Sequence, residues 1–364
     1  MYLYRKGKYS IYLMCPLTFI GLGLRGAESL TLQGLNIIKE ADVIYLEVYT
    51  SPLSKSSINA IQELIGKEVK IVGREFVEDG RVIINQAKTH KVVLISIGDP
   101  MIATTHMDLR IRAEMSGVKT QVIHNASILT ALPGETGLHA YKFGKIVTMT
   151  RSASTPIATV YQTTYNNLLM GLHTIVLLEY DYYSNFFLQP QDALINLLKS
   201  EDDFKQNVFN QDTFIIVASR IGNSNQKLLA GKLNSLLSQD FGNPPHTLII
   251  PGELHFTERE ALKALLKVKD EEIIDNSNKV RRMVISMVNK YVEKAKIALN
   301  KARDKCKKAF DNRFNLLFEN VECYLSDSIR FLNEGRFELA ILSVGYAEGL
   351  LDSLRFTGQL EIEW

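Results

Sequence analysis

Strand-length apolar runs alternate with helical patterns through the first part of this chain, and that alternation narrows its fold more than any other feature. The runs are Leu17–Ile20, Val43–Val48, Val69–Val72, Val92–Ile97 and Val122–His124. Between them, helical spacing occurs at Thr31–Ala41, Ser57–Ile65, Val82–His90 and Met107–Met115. Each helix returns the chain across a sheet, so the next strand lies parallel to the last. The pattern predicts a mostly parallel sheet that binds its ligand at polar strand ends such as Gly98-Asp99-Pro100.

A second α/β unit is expected from about Gly137 to Leu265, with strands at Lys145–Met149, Thr174–Glu179, Thr213–Ser219 and His246–Pro251 and a helix around Pro190–Lys199. Asn243-Pro244-Pro245 is a turn signal before the last of these strands. Beyond Lys269 the pattern changes. Val284, Val288, Val292 and Ile297 recur at helical spacing, and further helices are expected at about Asn315–Asn333 and Phe337–Arg355. The expected organisation is an extension over 1–13, α/β domains over 14–136 and 137–268, a polar linker at Asp270–Asn278, and an all-α module over 279–364.

Charge is unevenly placed. The net charge is +2, yet Lys279–Arg313 holds twelve Lys and Arg against three Asp and Glu. Two readings of that segment stand: a solvated helix face, or an adhesive for RNA or an acidic protein surface. Cys15, Cys306 and Cys323 form no ligand or disulfide pattern, which fits reduced thiols in the cytoplasm. Arg5, Lys6 and Lys8 before the apolar run Ile11–Leu24 superficially resemble a signal peptide. Cleavage near Gly21–Ala27 would destroy the glycine loop, so an extension ahead of the first strand is the better reading, with Met14 as an alternative start. No apolar run reaches the roughly 18–20 residues of a membrane span.

Four constellations can carry chemistry. The first, Gly21-Leu22-Gly23-Leu24-Arg25-Gly26, spells the dinucleotide fingerprint, with Glu47 in place of the distal acid. That motif opens its helix at the glycines, whereas here the helical pattern starts near Thr31, too far on to aim a helix end at a pyrophosphate. The second, Gly98–His106, combines a turn with Asp99, two threonines and His106. Asp99 suits a ribose or an ammonium, or simply a helix cap. The third, His124-Asn125-Ala126-Ser127-Ile128, follows a strand and can line a nucleoside pocket or form a plain turn. The fourth fixes His246 behind Pro244-Pro245. No Ser-His-Asp or Cys-His order, metal-ligand cluster or P-loop stands out.

In order, Gly21–Leu24, Leu46-Glu47-Val48-Tyr49-Thr50-Ser51, Gly98–His106, His124–Ile128, Tyr141-Lys142-Phe143-Gly144, Ser219-Arg220-Ile221-Gly222 and Gly242–His246 resemble the diphthine synthases, methyltransferases of diphthamide biosynthesis. The resemblance covers about residues 17–265. It implies the tetrapyrrole-methylase type of α/β fold, two domains with S-adenosyl-L-methionine in the cleft between them, and a homodimer. The implied substrate is translation elongation factor 2 carrying a 3-carboxy-3-aminopropyl histidine, whose amine archaeal members methylate three times to give diphthine. Eukaryotic members also methylate a carboxyl group.

By the same resemblance the cofactor contacts are Leu24, Asp99, Ile102, Ser127, Ile128, Leu178, Ile221 and His246, mostly through backbone atoms. Leu132–Thr136, with its proline, and Arg151–Thr164 depart from the family pattern on the substrate side of the cleft. Phe331–Ala340 and Tyr346–Asp352 resemble a small archaeal helical domain of uncharacterised function. No catalytic base is assigned; Glu47 and His106 are the weak candidates. Three other functions remain open: methylation of a tetrapyrrole or precorrin, NAD-dependent oxidoreduction through the glycine loop, and a non-enzymatic nucleoside-binding accessory of translation.

Overall fold

The computed structural model describes residues 17–151, 155–308 and 313–360. The expected extension over 1–13 and Cys15 lie outside the described residues. The chain forms two compact units: residues up to 203 with 209–275, and 204–208 with 276 onward.

The first unit opens with β1 (Leu17–Gly21), α1 (Leu32–Glu40), β2 (Val43–Glu47), α2 (Lys55–Ile65), β3 (Lys70–Val72), α3 (Arg74–Asp79), α4 (Arg81–Ala87), β4 (Val92–Ser96), α5 (His106–Met115) and β5 (Thr120–Ile123). These strands make a five-stranded parallel sheet in the order β3-β2-β4-β1-β5. Both faces are covered. Leu17, Phe19, Tyr45, Val92 and Leu94 pack with Val77, Ile83 and Leu109 of α3–α5. Ile20, Ile44, Leu46, Val93 and Ile95 pack with Ile38 of α1 and with Ile61 and Ile65 of α2. A strand buried on both sides takes apolar residues at most positions, which is why these strands read as near-continuous runs.

This strand order places the ligand crevice. From β1 the chain passes to α1 on one face of the sheet; from the adjacent β4 it passes to α5 on the other. Loops that diverge from neighbouring parallel strands leave an opening between them.

The unit continues with α6 (Ile128–Thr136), β6 (Val147–Met149), α7 (Thr155–Leu169), β7 (Thr174–Leu178), the two-stranded β8 (Tyr180–Asp181) and β9 (Phe186–Phe187), α8 (Pro190–Phe204), β10 (Phe214–Ser219), β11 (Lys227–Lys232), α9 (Leu233–Leu236), β12 (His246–Ile250) and α10 (Phe256–Leu266). A second five-stranded sheet runs β11-β10-β12-β7-β6. Only β6 and β7 are parallel; the other pairs are antiparallel. The expected polar linker at Asp270–Asn278 is largely structured. Asp270–Glu272 form a 3-10 turn, Ile273 is buried, and the next helix begins at Asn276.

The second unit consists of α11 (Asn276–Lys308), α12 (Asn315–Asn333) and α13 (Phe337–Phe356), each packed against the other two. Val280, Val284, Val288, Val292, Ala295, Leu299 and Ala302 form the buried stripe of α11 at three- and four-residue spacing. Its cationic residues Arg282, Lys290, Lys294, Lys296, Lys301 and Lys305 are exposed. The hydroxyl of buried Ser328 donates to the Ala340 carbonyl at 2.8 Å and joins α12 to α13.

Candidate active site

Three strand-end loops of the parallel sheet are clasped together. After β1, the Leu22 amide donates to the Ser96 carbonyl at 2.8 Å. Gly23 and Gly98 exchange two backbone hydrogen bonds, of 3.1 and 2.9 Å. Glycine is required for this approach: a Cβ on Gly21 would stand 2.4 Å from the Gly98 carbonyl oxygen. Asn125 completes the clasp, with Nδ2 donating to the carbonyls of Gly21 and Ser29, both at 2.9 Å.

Asp99 sits at the centre, 7% exposed. Its Oδ1 accepts from the Met101 amide at 2.9 Å. Its Oδ2 accepts from the Asn125 amide at 3.2 Å and pairs with His124 Nδ1 at 2.8 Å. A carboxylate oxygen offers about two acceptor sites, so Oδ1 keeps one for a further donor. Ile102 is half-buried within the same turn, its amide donating to the Asp99 carbonyl at 3.3 Å. Ser127 occupies the N-cap position of α6, and the Thr130 hydroxyl accepts from its amide at 3.0 Å. The Ser127 hydroxyl is itself buried with no hydrogen-bond partner among the described residues.

The second sheet presents the opposite wall. His246 opens β12, and the register pairs it with Ser219 at the end of β10. Continuing the pairing of Thr247 with Leu177 sets Leu178 beside His246. Nδ1 of His246 lies 2.8 Å from the Ser219 hydroxyl, and Nε2 is buried without a partner among the described residues. Burial, aided by nearby Arg220, lowers its pKa to about 4. Ile221, 4% exposed, belongs to a hydrophobic cluster against which Leu24 and Ile128 pack from the first sheet's loops. The two sides also touch directly: Arg25 Nε donates to the Gly222 carbonyl, and Asn223 Nδ2 donates to the Leu24 carbonyl at 3.4 Å.

The expected contact residues are thus grouped. Leu24, Ile128 and Ile221 share one apolar cluster, Asp99 and Ile102 share one turn, and Leu178 and His246 are neighbours in register. Asn125, Ser219 and Gly222 hold the site together, though sequence reasoning gave none of them a role of its own. The first two act through partners that lie 27 to 104 residues away in the chain, which spacing cannot show. The helix after the glycine loop begins at Leu32, behind a 3-10 turn over Gly26–Ser29, and Thr31 Oγ1 accepts from the Gly34 amide at 3.0 Å. No α-helix therefore opens at the glycines, as a dinucleotide fingerprint requires.

A family model for tetrapyrrole (corrin/porphyrin) methylases matches residues 16–237, and one for a protein of unknown function, DUF357, matches 263–360. The diphthine synthase of Methanothermobacter thermautotrophicus is 38% identical over 247 residues, 68% of this chain and 94% of that protein. That of Methanosarcina mazei is 40% identical over 268 residues, 71% of this chain and 99% of that protein. A crystal structure of diphthine synthase matches with a TM-score of 0.63 at 34% identity, across 70% of this chain and 97% of its own.

This chain belongs to the diphthine synthases. It is an S-adenosylmethionine-dependent methyltransferase of diphthamide biosynthesis, with the tetrapyrrole-methylase fold and an added C-terminal helical unit. Methylation of a precorrin ring, NAD-dependent oxidoreduction and a non-enzymatic accessory role are not favoured by these relatives.

Proposed function

We propose that this enzyme adds three methyl groups to the amine of the modified histidine of translation elongation factor 2, giving diphthine. S-adenosylmethionine would be held by Leu24, Asp99, Ile102, Ser127, Ile128, Leu178, Ile221 and His246. The observation that carries the reading is a pair of buried polar atoms without hydrogen-bond partners among the described residues, Ser127 Oγ and His246 Nε2. A buried polar group left unpaired costs on the order of 1–3 kcal/mol, so such atoms mark places where a ligand supplies the missing bond. Around them Leu24, Ile128, Leu178 and Ile221 offer apolar surface suited to an adenine ring. Asp99 keeps an acceptor for a ribose hydroxyl or an ammonium.

When bound, S-adenosylmethionine supplies an electrophilic methyl group on a sulfonium. The protein's contribution is positioning and water exclusion. The three-methyl outcome and the elongation-factor substrate rest on what the resemblance to the diphthine synthases implies, and the relatives bear that name. The same reading makes the enzyme a cytoplasmic homodimer and the exposed cations of α11 a solvated face, not an RNA-binding surface. No described helix is long and apolar enough to cross a membrane.

Incubation with S-adenosylmethionine and elongation factor 2 carrying the unmethylated side chain, followed by mass spectrometry, tests the proposal. A gain of three methyl groups is expected; one or none overturns it. Calorimetry should show binding of S-adenosylmethionine and none of NAD.

A further inference from the structure

Glu47 ends β2 and is 1% exposed. Its Oε2 accepts from the amides of Tyr49 and Thr50, at 2.9 and 3.0 Å, and its Oε1 has no hydrogen-bond partner among the described residues. Leu46 pairs with Ile95 in the parallel register, so the next pair is Glu47 and Ser96, and Ser96 in turn pairs with Gly21. The Ser96 hydroxyl is also buried and unpartnered among the described residues. A carboxylate oxygen and a hydroxyl, both unsatisfied, therefore stand on adjacent strands beside the glycine loop.

Tyr49, whose amide binds this carboxylate, sits in a cluster of rings. The Tyr49 ring meets His106 edge-on at 6.0 Å, and Phe19 approaches His106 at 6.2 Å. Arg74 of α3 lies 5.2 Å over the Tyr49 ring, and Thr105, at the start of α5, accepts or donates a 3.4 Å contact with the Tyr49 hydroxyl. Burial, joined by the charges of Tyr182 and then Glu47, pushes the phenol of Tyr180 in β8 up to about 12. The titratable groups that act on Glu47 or on its neighbour Tyr49 are Arg74, Glu78 and His106, and Glu47 in turn acts on Tyr180. Of these His106 is held neutral by burial, and its Nδ1 donates to the Pro100 carbonyl at 2.8 Å.

Leaving an ionised carboxylate in such a place is costly unless a cation or a proton joins it. Burial raises the pKa of Glu47, against the opposing pull of the Thr50 and Tyr49 hydrogen bonds and of Arg74. A carboxylate bound by the amide of a tyrosine in an aromatic cluster is suited to an ammonium whose hydrogens are replaced in turn by methyl groups, because a ring still attracts the cation when its donors are gone.

Resting on the acceptor assigned above, we propose that Glu47 Oε1 binds the acceptor ammonium and takes its proton before each methylation, with Tyr49 beside the methylated cation. In each round an N–H bond breaks and an O–H bond forms on Oε1. The ammonium becomes a neutral amine that keeps the lone pair, Glu47 becomes a neutral acid, and its proton passes to solvent before the next round. After the third methyl no N–H remains, and the carboxylate faces a fixed positive charge.

Glu47→Gln tests this, because its amide oxygen still accepts from Tyr49 and Thr50. Expected are a fall in methylation of roughly 100-fold or more, a residual rate that climbs with pH as free amine accumulates, and accumulation of the monomethyl product. Calorimetric affinity for S-adenosylmethionine should stay within about twofold of wild type. Thermal midpoints provide a readout apart from activity. Glu47 ionises less readily in the fold than in the unfolded chain, so its charge costs stability only above its unfolded pKa. The variant should melt higher than wild type at pH 8 and level with it at pH 4. A variant that trimethylates at the wild-type rate and pH dependence overturns the proposal, as does one that melts lower at pH 8, the mark of a mere turn cap. If wild-type enzyme leaves the elongation factor unmethylated, the assigned function fails and this inference falls with it.

Discussion

Nδ1 of His246 lies 2.8 Å from the hydroxyl of Ser219, a residue 27 positions earlier that the antiparallel register sets directly opposite. The contact fixes the imidazole so that Nε2 is the free ring nitrogen. Burial, with Arg220 adding to it, holds the pKa near 4, so the ring is neutral throughout the physiological range. His246→Ala should weaken S-adenosylmethionine binding about tenfold, the loss of roughly one hydrogen bond to a neutral partner. Wild-type affinity should be flat between about pH 5.5 and 8, since the ring does not titrate there. Calorimetry across that range checks both, and an affinity that titrates near the ordinary histidine pKa would contradict the assignment. For stability the sign is that of a depressed histidine: folding favours the neutral ring, and stability falls as pH drops from about 6.5 toward the folded value of about 4.

Gly21 has no room for a side chain. An added Cβ would meet the Gly98 carbonyl oxygen at 2.4 Å, and both Asn125 Cβ and Pro100 Cδ at 3.0 Å. The first of these is backbone and cannot rotate away. Gly21→Ala should force apart the two-bond bridge between Gly23 and Gly98, costing about 1–3 kcal/mol in urea unfolding. The same shift should weaken S-adenosylmethionine binding at least tenfold, measured by calorimetry under conditions where the variant is folded. Unchanged affinity would show that the clasp does not shape the cofactor site.

What was legible in the sequence followed from local signals. Helical spacing is written in near neighbours, so the pattern over Thr31–Ala41 places the start of α1 within one position of Leu32. The parallel strands were legible because burial on both faces leaves unbroken apolar runs. In contrast, α7 was missed because Thr, Val, Ile and Tyr crowd its sequence and locally favour strand. Its buried Val160, Tyr161, Thr164 and Leu168 settle the matter through tertiary packing. Edge strand β11, Lys-Leu-Leu-Ala-Gly-Lys, reads locally as helix and exists through its pairing with β10. Six residues of α3 are too few for periodicity to register. The site divides the same way. Its motifs were visible in chain order, but the bonds from Asn125 to Gly21 and from Ser219 to His246 are products of sheet register.

Glu258 is fully buried and accepts four hydrogen bonds: from His173 Nε2 at 2.9 Å, Lys142 Nζ at 2.6 Å, and the amides of His139 and His255, both at 2.8 Å. Burial alone would raise its pKa, but these donors outweigh that effect and hold it well below the ordinary carboxylate range. Glu258→Ala removes the carboxylate that Lys142 Nζ and His173 Nε2 share and should cost about 3–5 kcal/mol in denaturant unfolding. A carboxylate with a depressed folded pKa contributes stability at pH values above its unfolded pKa, about 4.3, and loses it as pH falls toward the folded value. Wild-type stability should therefore drop on acidification below about pH 4.3, and the drop should be smaller in Glu258→Gln. Equal acid sensitivity in both proteins would assign that loss to other groups.

Gly335 and Gly349 of the helical unit both have open space where a Cβ would stand, yet substitution should act in opposite directions. Gly349 lies inside α13, is exposed, and pays the entropy of ordering a glycine in a helix. Gly349→Ala should stabilise by roughly 0.5–1 kcal/mol. Gly335 follows α12 at φ 73°, where an alanine Cβ strains its own backbone whatever the surrounding space. Gly335→Ala should therefore destabilise, by about 1–2 kcal/mol. Thermal midpoints of the two variants, followed by circular dichroism, give the comparison. A shift of the same sign in both would mean that backbone conformation does not govern these positions.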